Sequence, residues 1–362
     1  MTERVYNFNP GPAVLPLSVL EQARDEFLNY AGTGMSVMEI SHRSKQFEAI
    51  VHSAEAGCKE LLGAGDDFRV LFIQGGASMQ FSMVPLNFLP AGRHADYLLT
   101  GSFAEKAWQE AQKLGQAQVA GSTWGENYRR VPDKKEINFS DNAAYVHITT
   151  NNTIYGTQWH SLPDTGSVPL VADMSSDILS RPIDINKFSL IYAGAQKNLG
   201  PSGVTVVLIR RDMLEKAPAH LTSMLRYDTY AENDSLYNTP PTFGIYMIML
   251  VLDWIEESGG LAAMEKHNTE KAGYIYDAID NSNGFYSGHA EKGSRSLMNI
   301  TFRLAREELE KQFLAEAATY RLSGLKGHRS VGGMRASVYN AMSKTGCAEL
   351  ADFMESFRKK NS

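Results

Sequence analysis

Phe188-Ser-Leu-Ile-Tyr-Ala-Gly-Ala-Gln-Lys197-Asn-Leu-Gly200 runs from an apolar strand into small residues and sets one lysine just past the strand's carboxyl end. It belongs to a series. Short apolar runs at 69–73, 96–100, 144–149, 169–173, 188–192 and 204–209 alternate with amphipathic stretches, which is the pattern of an α/β fold. Several of these runs are apolar throughout, as expected of parallel strands covered by helices on both faces. Sheets of this kind bind ligands at the carboxyl ends of their strands, so that edge is where chemistry is expected.

Outward from this core, Phe47, Ile50, Val51, Ala54, Cys58, Leu61 and Leu62 recur at helical spacing, with Ser44 as N-cap and Gly63 as terminator. Pro240-Pro241 opens an apolar helix that reaches Trp254 and stops at Ser258-Gly-Gly260. Beyond it the pattern changes to α+β: helices over 261–279, 307–322 and 348–358, and strands over 297–303 and 334–339. The expected division is an N-terminal arm at 1–15, a large domain at 16–260 and a small C-terminal domain at 261–362. At roughly 150 residues per domain, the 362-residue length agrees with two domains.

The composition excludes several classes. Lys and Arg total 35 against 41 Asp and Glu, a net charge of −6, which supplies no basic field for a nucleic acid. Cys58 and Cys347 match no zinc or redox spacing and suit a reducing compartment, so a cytoplasmic location is expected. The first residues lack the apolar region of a signal peptide, and the longest apolar run, 245–252, is far short of the roughly 20 residues that span a bilayer. No membrane partner is expected. Walker A, GxGxxG, HExxH and GxSxG motifs are absent.

Lys197 is the residue most unusual for its place. Burial at a strand end lowers an amine's pKa and makes it nucleophilic towards a carbonyl, as a Schiff base with an aldehyde cofactor requires. A lone lysine there more often just reaches solvent, so its company matters. Asp173 closes the apolar strand Pro169-Leu-Val-Ala-Asp173 and offers a buried anion. Gln74-Gly-Gly-Ala-Ser78 joins a strand to a helix, where two glycines let backbone N–H groups close on an oxyanion. Asn238-Thr239-Pro240 is another helix entrance with side-chain donors, and Phe103, after Thr100-Gly-Ser102, can stack on a flat ring. His42-Arg43, His328-Arg329 and Arg335 are cations grouped in an acidic chain; Arg43 precedes a helix N-terminus, which disfavours it unless an anion is shared.

Taken in order, Asn7-Phe-Asn-Pro-Gly-Pro-Ala13, Met35-Ser-Val-Met-Glu-Ile-Ser-His-Arg43, Gln74-Gly-Gly-Ala-Ser78, Thr149-Thr-Asn-Asn-Thr153, Ala172-Asp-Met-Ser-Ser176, Ala195-Gln-Lys-Asn198, Tyr237-Asn-Thr-Pro-Pro241 and Val331-Gly-Gly-Met-Arg-Ala-Ser337 resemble the phosphoserine aminotransferase family over nearly the whole chain. This family is a class V branch of the fold-type I pyridoxal-phosphate transaminases. The resemblance implies an α/β fold with a mainly parallel sheet between helices and a smaller C-terminal α+β domain. It implies pyridoxal 5′-phosphate as cofactor, Lys197 as the Schiff-base lysine, Asp173 as partner of the pyridinium nitrogen and Thr153 as donor to the phenolic oxygen. Gly76, Ala77 and Gln196 would hold the cofactor phosphate, with Asn238 and Thr239 from the neighbouring subunit of a homodimer whose interface the 245–252 helix helps to bury. His42, Arg43, His328, Arg329 and Arg335 would take the substrate anions, Arg335 the α-carboxylate.

The implied reaction is ping-pong transamination between O-phospho-L-serine and 2-oxoglutarate, giving 3-phosphohydroxypyruvate and L-glutamate, with 4-phosphohydroxy-L-threonine as a second substrate in pyridoxine biosynthesis. Two positions depart from the family pattern: Phe103 stands where many members have a tryptophan, and Ala77-Ser78 where some have an arginine in the cup. Another class V transaminase of small amino acids is the nearest alternative. A desulfurase would need a catalytic cysteine on a loop, which neither Cys58 nor Cys347 supplies. A catalytically idle binder of phosphorylated metabolites would not need an amine beside a buried carboxylate.

Overall fold

The apolar runs of the sequence are buried on both faces, and this dictates a layered arrangement. A computed structural model of the chain describes residues 4–362; the first three residues of the expected arm lie outside the described residues. Among the described residues a seven-stranded sheet has the order Phe68–Ile73, Thr205–Arg210, Leu190–Gly194, Leu170–Asp173, Val146–Thr149, His94–Leu99, Gln116–Ser122. Thr205–Arg210 runs antiparallel to both its neighbours, and the remaining pairs are parallel. Six strands therefore end on one edge, and the segments that follow them converge there.

Alternate residues of each strand feed two separate apolar layers. Val70, Phe72, Ile148, Ala172 and Ile191 pack with Phe47, Ile50, Val51 and Ile248 on one face. Leu71, Ile73, Tyr97, Val171 and Tyr192 pack with Phe81, Val84, Ala104 and Ala107 on the other. The Lys45–Leu62 helix forms as its signals require: Ser44 Oγ accepts the Phe47 N–H, and Gly63 ends it in the left-handed conformation. The run 245–252 lies within the helix Thr242–Glu257 and is buried inside its own chain. Most of its apolar surface is used in the first layer, while Met247 also lines an apolar groove with Leu20, Phe27 and Leu28.

A third core gathers Phe8 with Ala272, Ile275, Phe302, Phe313, Met334, Leu350 and Phe357. It packs the helices Gly260–Asp280, Leu309–Thr319 and Lys344–Asn361 against an antiparallel sheet of Tyr286–Gly288, Asn299–Leu304 and Met334–Ser337. The arm is stitched to this unit: Tyr6–Asn7 pairs with Leu322–Ser323, and Pro10 O accepts the Tyr339 hydroxyl at 2.7 Å. Buried amides link the segment that follows Val146–Thr149 to the small sheet. Asn151 Nδ2 donates to Asn299 Oδ1 at 2.8 Å, and Asn299 Nδ2 donates to Ser337 Oγ at 3.0 Å and to Tyr339 Oη at 3.1 Å.

The loop leading into Met334–Ser337 is held by close backbone packing. Gly333 has φ of 62°, and a Cβ there would run into the Phe302 carbonyl. Gly333→Ala is expected to destabilise the protein by ~1–3 kcal/mol, the usual range for such strain. Urea unfolding checks this; an unchanged midpoint would show that the loop relaxes without penalty.

Candidate active site

At the common carboxyl edge of the sheet lies a cavity of ≈ 530 Å³, into which the sequence delivers most of its candidates. Gly76, Ala77, Phe103, Thr153, Asp173, Gln196, Lys197, His328, Arg329 and Arg335 all line it. His42, Arg43, Asn238 and Thr239 are not among its lining residues. The 238–239 loop sits just outside, where Thr239 O accepts from Gln74 Nε2 at 3.4 Å.

Each wall has a local cause. Past Ile73 the chain turns at Gly75, whose φ of 96° suits glycine, and the helix Gly76–Phe88 begins at once. The N–H groups of its first turn have no intrahelical acceptor and open towards the cavity lining at Gly76, Ala77 and Ser78. The helix Ser102–Leu114 brings Phe103 in from the next strand end. Asp173 closes its own strand and is 4% exposed; Oδ1 accepts the Ser175 N–H at 2.9 Å. Lys197 follows Gly194 after two residues, and its Nζ donates to Thr153 Oγ1 at 2.7 Å. Gly11 of the arm lies against the Lys197 side chain, 3.4 Å from Cγ to where a Cβ would stand.

The electrostatics are polarised. Burial pulls the Lys197 amine down to about 8, the Asp173 carboxylate opposing the shift and the Arg335 charge adding to it. Burial pushes the Asp173 carboxyl above its ordinary value, against the Ser175 hydrogen bonds and the Lys197 charge. Arg335 is 6% exposed; its Nη1 donates to Thr153 O at 3.3 Å, and its Nε is buried without a partner. A guanidinium left short of acceptors in this way calls for an anion. Burial, followed by the charges of Arg335, Arg329 and Lys106, lowers the His328 pKa.

These residues fit pyridoxal phosphate. The helix N-terminus and two glycines suit a phosphate, the Phe103 ring suits an aromatic face, Asp173 suits a ring cation, and Lys197 suits an aldehyde. Arg335 remains for a carboxylate.

Residues 5–350 match the aminotransferase class-V family. The chain belongs to the class-V aminotransferases. It is 62% identical to the phosphoserine aminotransferase of Herpetosiphon aurantiacus, over 98% of this chain and 99% of that protein. The phosphoserine aminotransferase structure from Bacillus circulans subsp. alkalophilus superposes with a TM-score of 0.98 at 58% identity, covering 100% of both chains. The pyridoxal-phosphate-bound phosphoserine aminotransferase from Trichomonas vaginalis is 39% identical with a TM-score of 0.93, over 97% of this chain and 100% of that one.

The cavity of this class-V aminotransferase also holds Pro10, Gly11 and Ser175, which lie in quoted motifs without an assigned role, and Phe81 and Lys106, which sequence reasoning did not single out. Lys106 had a signal, since it stands three residues after Phe103 and shares its helix face.

The position of the Lys197 titration is testable without cofactor. Below about 8 the amine holds its proton and is unreactive; above it the neutral form dominates. Labelling of cofactor-free protein by trinitrobenzenesulfonate, read at the Lys197 peptide, is expected to rise with an inflection near pH 8. An inflection near the ordinary lysine value would contradict this burial.

Proposed function

We propose that this class-V aminotransferase is a phosphoserine aminotransferase, moving an amino group between O-phospho-L-serine and 2-oxoglutarate to give 3-phosphohydroxypyruvate and L-glutamate. One observation carries the reading: a lysine of lowered pKa and a buried carboxylate share a cavity that His328, Arg329 and Arg335 also line. The full-length relatives that bear the name support it. Bound pyridoxal phosphate supplies an aldehyde carbon for amines and a protonated ring that accepts the electron pair released at the substrate Cα.

In this reading Gly76 and Ala77 N–H groups and the Gln196 side chain hold the cofactor phosphate. Phe103 covers the ring and excludes water. Asp173 holds the proton on the ring nitrogen, and Thr153 bonds the phenolic oxygen. Arg335 takes the α-carboxylate, which orients the Cα–H towards Lys197. As a free neutral amine Lys197 would take the Cα proton and return it at C4′ of the cofactor; its lowered pKa suits that exchange near neutral pH. His328 and Arg329 face the distal anion. 4-Phosphohydroxy-L-threonine shares that anion and is a second substrate, which links the enzyme to pyridoxine biosynthesis.

The working form is a homodimer in the cytoplasm, with an arm at 1–15, a large domain at 16–260 and a small domain at 261–362. An apolar groove lined by Leu20, Phe27, Leu28, Phe243 and Met247, with Leu28 79% exposed, supports burial by a second copy. Asn238, Thr239, His42 and Arg43, outside the cavity of their own chain, then serve the partner's site. Mixing Lys197→Ala and Thr239→Ala dimers under subunit exchange is expected to restore activity, and no restoration would argue against shared sites.

Half-reaction kinetics test the chemistry. Asp173→Asn is expected to keep cofactor and lose about 10²–10³-fold in turnover, the scale for removing one electrostatic stabiliser. Arg335→Ala should lower kcat/KM about ten- to a hundredfold for both amino donors, as the loss of one charged contact predicts. A wild-type protein that turns over glutamate but ignores phosphoserine would overturn the substrate and keep the transaminase.

A further inference from the structure

We propose that Lys106 is a specificity-determining residue that contacts the distal phosphate of the amino donor, and that it favours phosphate over carboxylate there. The inference rests on the phosphoserine reading of the site and names a contact outside the His/Arg set.

Lys106 lies on the helix Ser102–Leu114, three residues beyond Phe103 and so on the same face. Its Nζ stands 5.3 Å from the Phe103 ring centroid, and Lys197 Nζ stands 5.6 Å from the same centroid. The ring that would cover the cofactor therefore has the reacting amine and a second ammonium within reach. Lys106 lines the cavity together with His328, Arg329 and Arg335, and its charge acts on His328.

The acids that usually neutralise a surface lysine are engaged elsewhere. Glu105 Oε1 accepts the Tyr128 hydroxyl at 2.5 Å, and Glu110 pairs with Lys113 at 2.7 Å. Among the described residues no carboxylate pairs with Lys106. Asp173, the acid lining the cavity, is buried on the Lys197 side. Lys106 is thus a solvent-accessible ammonium, without a counter-charge, at the mouth of a cationic cavity.

The place and the chemistry together select its ligand. With the substrate Cα at Lys197 and the α-carboxylate at Arg335, the side chain of the donor extends towards the mouth, where Lys106, His328 and Arg329 stand. Phosphoserine brings a dianion to that position and glutamate a single charge, so each added cation favours phosphoserine more. An ammonium is also a point charge that suits any phosphate oxygen, whereas a planar carboxylate is best met by a guanidinium fork.

The test is single-turnover kinetics of the loaded enzyme with phosphoserine and, separately, with glutamate, for wild type, Lys106→Gln and Lys106→Arg. Lys106→Gln is expected to lose about tenfold or more in kcat/KM for phosphoserine and about threefold or less for glutamate, while Lys106→Arg stays within about threefold of wild type for both. The visible spectrum of the bound cofactor should be the same in all three. Equal losses for both donors would assign Lys106 to the shared α-carboxylate or to structure and overturn the proposal, as would no loss at all. Failure of the wild type to convert phosphoserine would instead overturn the substrate reading on which it rests.

Discussion

Desolvation of two opposite charges at one sheet edge is the constraint on which the rest of this structure depends. Asp173 is nearly sealed from water, and burial alone would favour its neutral form. It needs fixed donors and a cation near it, and the fold provides both. Register places Asp173 opposite Tyr192 on one side and Thr149 on the other, so three parallel strands fix its position. The Ser175 N–H supplies a hydrogen bond, and Lys197, three residues past its strand, supplies the charge. The same burial makes the amine weakly basic, so one physical cause prepares both groups.

Holding an amine and a carboxylate at such positions demands a frame that does not yield. Two apolar layers clamp the large sheet, but the small unit meets it through polar groups: Asn151, Asn299, Ser296, Ser337 and Tyr339 are all buried and hydrogen-bonded. A network of this kind is favourable only when its members are satisfied, and it then admits one arrangement. Arg335 stands on the strand that this network fixes, opposite Thr301, and its guanidinium reaches the carbonyl of Thr153. The amide network thereby sets the distance between the group that accepts protons and the group proposed to orient the substrate.

What the sequence disclosed follows the same physics. Apolar runs report burial, so six strands of the large sheet and the helices Lys45–Leu62 and Thr242–Glu257 were legible. Gln116–Ser122 was not, because this edge strand, unlike Phe68–Ile73 at the other edge, turns most of its side chains to water. Apolarity carries no direction, so the reversal of Thr205–Arg210 was hidden in composition. It was visible in length: the link 195–204 is shorter than the roughly dozen residues that a parallel crossover needs. Lys197, Asp173 and the glycine cup were legible because each breaks a local rule at a strand end. Lys106 obeys the rules of an exposed helix, and only its spacing from Phe103 marked it. His42, Arg43, Asn238 and Thr239 lie outside the cavity of their own chain, and under the proposed dimer their relation to a site depends on how two copies pack.

The charge pattern completes the argument. A chain with net charge −6 repels small anions at long range, yet its cavity mouth is cationic. Screening limits the repulsion to about 10 Å at ordinary salt, so it matters for approach and little once an anion has entered. Inside, Arg335 has a buried Nε without a partner, and His328 is held towards neutrality by burial and by the cations around it. Negative charge beside Arg335 or beside His328 and Arg329 offsets this cationic concentration. A donor with an α-carboxylate alone relieves one end. A donor with a second anion relieves both, and a dianion draws protons back towards His328, adding a charge to the wall that holds it. The proposed preference for phosphorylated donors thus follows from the same concentration of cationic side chains.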